Sequence, residues 1–336
     1  MSDAPLLELA QVSKRFSKPL GTAERVANWL GARHREQVVH AVDEVSQSVQ
    51  AGEVVGLVGE SGCGKSTLGR VVAGIHAPSS GTMRWQGRTA AEMTPAQRRE
   101  ATLAVQMIFQ DPMSSLNPRL RVADIVGEAP VVHGLVPQAG MADYVAQVLE
   151  RVGLDPVYMR RYPHQFSGGQ RARIGIARAL AVRPTFLVCD ESVAALDVSI
   201  QAQVLNLFMA LRADLNLTYL FISHDLGVVR HLSDRVVIMY LGRMVEAAPA
   251  AELFRQPRHP YTQALLANVP TLASRHKRFA PLKGEIPSPL DPPPGCHFHP
   301  RCPHAGPRCR QERPALVETA PGHLSACHLD SGGTGA

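Results

Sequence analysis

One short stretch, Gly59-Glu60-Ser61-Gly62-Cys63-Gly64-Lys65-Ser66-Thr67, settles more of the architecture than any other. It fits the phosphate-loop pattern G-x-x-x-x-G-K-[ST] at every fixed position. Before it runs Val54-Val55-Gly56-Leu57-Val58, short, apolar and β-branched, as a buried strand is. After it, Leu68-Gly69-Arg70-Val71-Val72-Ala73 has the pattern of a helix that stops near Gly74. Strand, glycine loop and helix together turn the pattern into a site. The glycines let successive backbone N–H groups face one anion, and the helix N-terminus adds partial positive charge. Lys65 is placed to reach the β and γ phosphates, and the Ser66 hydroxyl to ligate Mg²⁺. A chain with this context is expected to bind a nucleoside triphosphate.

The rest of the chain alternates strands and helices. Leu6-Leu7-Glu8-Leu9 and Val38-Val39-His40-Ala41-Val42 have the pattern of early strands. Residues 17–37 between them, with Pro19, Gly21 and Gly31, form a loop or short-helix excursion. Thr82–Trp85 and residues 104–109 are further strands, and from about 119 to 163 the pattern is helical, most clearly at Met141–Leu149. Ser167 opens a helix running to about Val182, closed by Pro184. Phe186-Leu187-Val188-Cys189 is an apolar strand running into Asp190-Glu191, and Ser199–Leu215 is a long amphipathic helix. Strands follow at Leu217–Ile222, Arg235–Tyr240 and, after Gly242, Met244–Glu246. Such alternation implies an α/β fold with a largely parallel sheet.

Near residue 250 the character changes. Residues 257–321 hold 14 of the chain's 26 prolines, and residues 257–327 hold four of its six cysteines. A segment of that kind forms neither long helices nor central strands. The expected division is a nucleotide-binding domain over 1–255, with a helical subdomain at about 112–180, and a loop-rich extension over 256–336. The length of 336 residues accommodates both. A net charge of +6 without a block of like charge gives no reason to expect a nucleic-acid partner. No apolar run approaches the roughly 18 residues of a membrane span. Met1-Ser2-Asp3-Ala4-Pro5 lacks the charged and apolar regions of a signal peptide. A cytosolic chain is expected, with any membrane role coming through partner subunits.

Asp190 and Glu191 end an apolar strand, which is where a nucleotide-hydrolysing sheet needs carboxylates. Asp190 would hold Mg²⁺ through water and Glu191 would orient and polarise the attacking water. Ser167-Gly168-Gly169-Gln170, followed by Arg171-Ala172-Arg173, resembles the signature motif of ABC-type ATPases. Gly59–Thr67, Gln110, Asp190-Glu191 and His224 resemble that family's phosphate loop, Q-loop, second acidic motif and switch histidine, in the expected order. The resemblance implies the ABC version of the phosphate-loop NTPase fold and a head-to-tail dimer, in which each signature completes the other subunit's site. It implies ATP as substrate, with Phe16 stacking on adenine through its π-face and His224 at the γ-phosphate. Gln110 would reach Mg²⁺ and the water, and relay occupancy to the helical segment 112–163, which in the family docks on membrane subunits. Asp197 falls in the D-loop, which communicates across the dimer.

Tyr162-Pro163-His164-Gln165-Phe166-Ser167, Asp197-Val198-Ser199-Ile200-Gln201-Ala202-Gln203 and His259-Pro260-Tyr261-Thr262 are similar to the dipeptide/oligopeptide importer ATPases. That resemblance covers nearly all of residues 5–330. It implies a second ATPase subunit, two membrane permease subunits and an extracytoplasmic solute-binding protein as partners, and a peripheral place on the cytoplasmic face of the membrane. There is one departure: Ser192 and Ala194 stand where the family usually has Pro and Ser. It touches cross-dimer communication and leaves Glu191 and His224 in place. Two other classes compete: a soluble ABC protein acting on DNA or ribosomes, and an iron–sulfur regulator with ATPase as input. The first typically carries a coiled-coil insertion or two cassettes, and this sequence has neither.

The extension spaces its cysteines as Cys296-x5-Cys302-x6-Cys309-x17-Cys327. Thiolates without disulfide partners suit tetrahedral zinc or an iron–sulfur cluster. The spacing is not a paired C-x-x-C ribbon, and similar extensions in the peptide-importer branch can hold a [4Fe–4S] cluster, so the cluster is expected and zinc is the alternative. Plain buried thiols, or His297 or His299 replacing a ligand, stay open at this point. Cys63 and Cys189 are small residues for tight places.

Overall fold

The computed structural model describes residues 4–30, 36–111, 115–268 and 284–330. Its strands are β1 (Leu7–Lys18), β2 (Gln37–Val49), β3 (Val54–Val58), β4 (Ser80–Trp85), β5 (Arg88–Thr89), β6 (Val105–Ile108), β7 (Phe186–Asp190), β8 (Thr218–Ile222), β9 (Arg235–Tyr240), β10 (Arg243–Pro249), β11 (Val317–Ala320) and β12 (His323–Ser325). They form a four-stranded sheet in the order β2-β1-β4-β5 and an eight-stranded sheet in the order β11-β12-β10-β9-β3-β8-β7-β6. The run β9-β3-β8-β7-β6 is parallel throughout. Every residue of β3, β7 and β8 is buried. That is why these strands are continuous apolar runs: a parallel sheet is covered on both faces. Alternate residues take opposite sides. Leu187, Cys189, Tyr219 and Phe221 join the core under the helices, while Val188, Leu220, Ile222, Val55 and Leu57 pack with Leu68, Val71 and Val72.

The helical segment consists of helices Val122–Val132, Met141–Arg151 and Gly168–Leu180, joined by short 3₁₀ turns. Val126, Val145, Leu149 and Ile174 are completely or almost completely buried where these helices meet. Each such side chain contributes about 1.5–3 kcal/mol by leaving water. Among the described residues, the excursion after β1 holds the helix Thr22–Trp29. The expected early strands do not join the parallel sheet. They belong to the separate antiparallel one, with register shifts along the β1–β2 ladder. Helix Pro95–Ala104 was not expected. It starts at a capping box, with Thr94 accepting from Gln97 N–H and Gln97 returning the bond, and none of its residues is buried.

The extension adds to the large sheet instead of standing beside it. β12 pairs antiparallel with β10, Glu246 opposite Ser325 and Ala247 opposite Leu324. Glu246 is wholly buried. It accepts hydrogen bonds from the N–H groups of Arg258 and His259 at 2.6 and 3.0 Å, and pairs with His323 Nε2 at 2.7 Å. Residues 284–316 form no long helix and no central strand, as expected of a proline-rich segment, but aromatic rings pack them down. Tyr240 meets Tyr261 and Phe298 with ring centroids 4.7 and 5.3 Å apart. Edge-to-face pairs of this kind add about 0.5–1.5 kcal/mol beyond burial.

Candidate functional site

Helix Lys65–Val72 begins behind Gly64, whose φ of 104° only glycine adopts readily, and no side chain caps its first turn. A Cβ on Gly64 would meet the Ala41 carbonyl at 2.0 Å, and one on Gly59 would meet the Met239 carbonyl at 2.1 Å. The loop therefore lies against β2 and β9 as bare backbone, and the uncapped amides are left for an anion. Lys65 is 4% exposed. Its Nζ donates to the carbonyls of Gly59 and Glu60 at 2.7 and 3.1 Å. Cys63 packs beneath the loop, and burial pushes its thiol up.

β7 delivers the carboxylates. Asp190 is 2% exposed and its Oδ1 accepts from Ser66 Oγ at 2.8 Å. Burial raises its carboxyl above the ordinary value, opposed by the Ser66 hydrogen bond and by Arg70 and Lys65. A hydroxyl and a carboxylate side by side make the hard oxygen set that suits Mg²⁺. Glu191 turns off the strand in the left-handed region, φ 46°, held by its N–H to the Ile222 carbonyl at 3.0 Å. Such a conformation is strained for glutamate and aims the side chain out of the sheet. Its Oε2 accepts from Gln110 Nε2 at 2.8 Å and lies 3.4 Å from His224 Nδ1. The ends of β6 and β8 thus bring two expected residues, Gln110 and His224, to the Glu191 carboxylate at the end of β7.

A cavity of about 410 Å³ is lined by Phe16, Val39, Ala41, Ser61, Gly62, Gly64, Lys65, Ser66, Thr67, Gln110, Glu191 and Pro289. Phe16 is half exposed there, with Lys14 Nζ 5.1 Å from its ring centroid. Val39, Ala41 and Pro289 were not foreseen. They carry no motif, and only the tertiary fold brings them to the wall. Gly59, Glu60 and Cys63 belong to the loop but not to the cavity lining. The signature residues are also elsewhere on the chain. Ser167 caps helix Gly168–Leu180, accepting from Gln170 N–H at 3.3 Å, and Ser167 and Gly168 are exposed. Asp197 stands at the N-terminus of helix Val198–Leu215 without a side-chain capping bond, and is exposed. Ser192 is buried, its hydroxyl without a partner among the described residues, and Ala194 is exposed.

Cys296, Cys302, Cys309 and Cys327 line one small cavity together with His259, His299, His304 and His328. Burial raises the thiols of Cys296, Cys302 and Cys327, the last to about 11, and neighbouring thiols push the same way. Among the described residues, however, no group of three or more His, Cys, Asp or Glu stands close enough to hold a metal ion. The four expected ligands thus share a cavity, but the described residues do not form the expected metal site. His297 does not face this cavity; its Nδ1 lies 3.0 Å from the Leu241 carbonyl.

Residues 42–194 match the ABC transporter family, and residues 245–309 match the oligopeptide/dipeptide transporter C-terminal region. The oligopeptide transport ATP-binding protein AppF of Bacillus subtilis is 48% identical over 330 residues, covering 97% of this chain and 98% of its own. The oligopeptide transport ATP-binding protein OppF of Salmonella typhimurium is 47% identical over 284 residues, covering 83% and 85%. The structure of cbiO1 from Clostridium perfringens, part of the ABC transporter complex cbiONQ, superposes with a TM-score of 0.60 at 24% identity, covering 75% of this chain and 91% of that one. That likeness is one of fold. No described helix is long and apolar enough to cross a membrane. With a phosphate loop, an acid-ended strand and these relatives, the chain belongs to the ATP-binding ATPases of ABC transporters, in their oligopeptide/dipeptide group.

Proposed function

We propose that this ATPase energises import of di- or oligopeptides through a membrane ABC transporter. It works at the cytoplasmic face with a second ATPase subunit, two permease subunits and an extracytoplasmic solute-binding protein. The observation that carries the chemistry is the convergence of Gln110 and His224 on the Glu191 carboxylate, beside the loop that holds Lys65. In this reading the loop amides and Lys65 hold the β and γ phosphates, and Phe16 takes the adenine ring. Ser66 and Gln110 would hold Mg²⁺, with Asp190 through water, and the ion supplies charge neutralisation on the phosphates. Glu191 accepts a hydrogen bond from the attacking water and polarises it. His224, beside Glu191 and 56% exposed in its side chain, is free to meet the γ-phosphate. Ser167 to Gln170, at a helix N-terminus where Ser167 and Gly168 are exposed, serve the neighbouring subunit's phosphate, with Asp197 at the same interface.

Peptide as the cargo rests on the names of the relatives and on the match of residues 245–309. Purification from its own membranes tests it. Permease subunits should accompany the chain, and peptide-loaded binding protein should stimulate its ATPase in vesicles. Co-purification with ribosomes or nucleic acid instead, without permeases, would overturn the assignment. The four cysteines are proposed to ligate a [4Fe–4S] cluster, supported by their sharing one cavity. A cluster presents several irons to its thiolates, whereas zinc draws four donors to one point. Anaerobically purified protein should be brown and bleach with dithionite. Stoichiometric zinc would replace the cluster and keep the site, and metal-free protein would remove both.

A further inference from the structure

The extension reaches the phosphate loop of its own chain. Arg301, in the turn between Cys296 and Cys302, sends two nitrogens to Glu60: Nη1 to Oε2 at 2.6 Å and Nη2 to Oε1 at 3.1 Å. The Arg301 side chain is 4% exposed and that of Glu60 24%. Hydrogen bonding to Glu60 holds the guanidinium more firmly charged than usual. The Glu60 N–H donates to Tyr261 Oη at 2.9 Å, and the Glu60 carbonyl accepts from Lys65 Nζ at 3.1 Å. One phosphate-loop residue is thus fixed at its carboxylate, amide and carbonyl, the first two from residues beyond 256. Farther along, the Pro289 carbonyl accepts from His40 N–H at 3.1 Å, and Pro289 lines the nucleotide cavity opposite the loop.

We propose that the C-terminal extension is a wall of its own chain's nucleotide site, with Arg301 as a positioning residue. Arg301 acts through Glu60 on the phosphate loop and on Lys65. The proposal rests on the 410 Å³ cavity being the ATP site. A carboxylate inside a triphosphate-binding loop has the wrong charge for its ligand. A planar guanidinium fork removes that charge and fixes the orientation of the group that carries it. Without the fork, a largely buried carboxylate is left uncompensated next to an anion. Coupling between sites is reciprocal. If the extension strengthens ATP binding, then ATP must protect the extension by the same factor.

Two measurements on the full chain test this. Arg301→Ala should raise the Kd for ATP roughly tenfold, with kcat changed much less. Arg301→Lys should recover part of the loss. Adding Glu60→Gln to Arg301→Ala should also recover part, which a merely structural role for Arg301 would not do. In the unaltered protein, ATP should slow hydrogen exchange around Ser288–Leu290 and Cys296–Cys302. Should Arg301→Ala fail to fold, the exchange measurement decides alone. Unchanged exchange in the extension, at saturating ATP, overturns the proposal, and so does wild-type affinity in a folded Arg301→Ala chain. A Lys65→Ala chain that still binds ATP would instead remove the cavity assignment beneath it, so the two failures are distinct.

Discussion

The chain carries two glycine-rich helix N-termini, and they differ in what they leave unfinished. At Lys65–Val72 no side chain caps the first turn, and Lys65, Asp190, Gln110 and Glu191 stand round or near the loop. At Gly168–Leu180 the first turn satisfies itself: Ser167 accepts from Gln170 N–H, and Gln170 Oε1 accepts from Ser167 N–H at 3.1 Å. One N-terminus keeps its amides for a ligand and gathers the chemistry about it. The other is finished as a piece of folding, exposed, and ready to be offered to something outside the chain. A loop that must bind within its own chain can stay uncapped because its ligand completes it. A loop that acts across an interface has to hold its shape before the partner arrives.

The sharpest way to break this contrast is Glu191→Gln. Turnover should fall by roughly 10²–10⁴, the range of a general-base contribution, while ATP binding at Lys65 persists. Near wild-type hydrolysis in the assembled transporter would show that the carboxylate at φ 46° is not the group that acts on water. Next in size is Ser167→Arg. It should leave ATP binding at its own Lys65 intact yet stop hydrolysis in the neighbour. Mixed with a Lys65→Ala chain, at most one composite site per pair survives. Loss of ATP binding in the Ser167→Arg chain itself would mean that the two N-termini are not independent. Gly169→Ala probes how tightly the second N-terminus is packed, read at the chain's own Lys65 site. A Cβ there meets Ile200 Cγ2 at 2.4 Å, so the denaturation midpoint should drop by the equivalent of about 1–3 kcal/mol, with ATP affinity unchanged. Smallest is Ser167→Ala, which removes the cap and costs about 1 kcal/mol of helix stability, measurable as faster amide exchange in residues 168–171.

What the sequence made legible is what chemistry encodes locally. The phosphate loop, the acids after Cys189 and the apolar strands of the parallel sheet each announce themselves within a few residues, because each needs particular side chains at fixed spacing. Sheet membership was not legible. Leu7–Lys18 and Val54–Val58 are both strand-like, and only pairing partners decide that one lies in the antiparallel sheet and the other in the parallel one. Thr94-Pro95-Ala96-Gln97 does carry a capping-box signal, but the helix behind it buries nothing, so no apolar period pointed to it. Pro289 and Arg301 were invisible for another reason. Their partners, His40 and Glu60, lie more than two hundred residues earlier, and nothing in a proline-rich stretch says which surface it will cover.

The pairing of β12 with β10 has a consequence for how the molecule is made. Until His323–Ser325 has emerged from the ribosome, β10 is the last strand of its sheet, and its backbone groups are open to any passing chain. Glu246 would by then be committed to an interior that does not yet contain His323. A product ending at 309, where the family match stops, would keep every phosphate-loop residue and still present that bare edge. Its expected fate is aggregation or proteolysis rather than reduced catalysis. With the hairpin in place, the open edge passes from β10 to the four-residue strand β11, too short to recruit much of another chain.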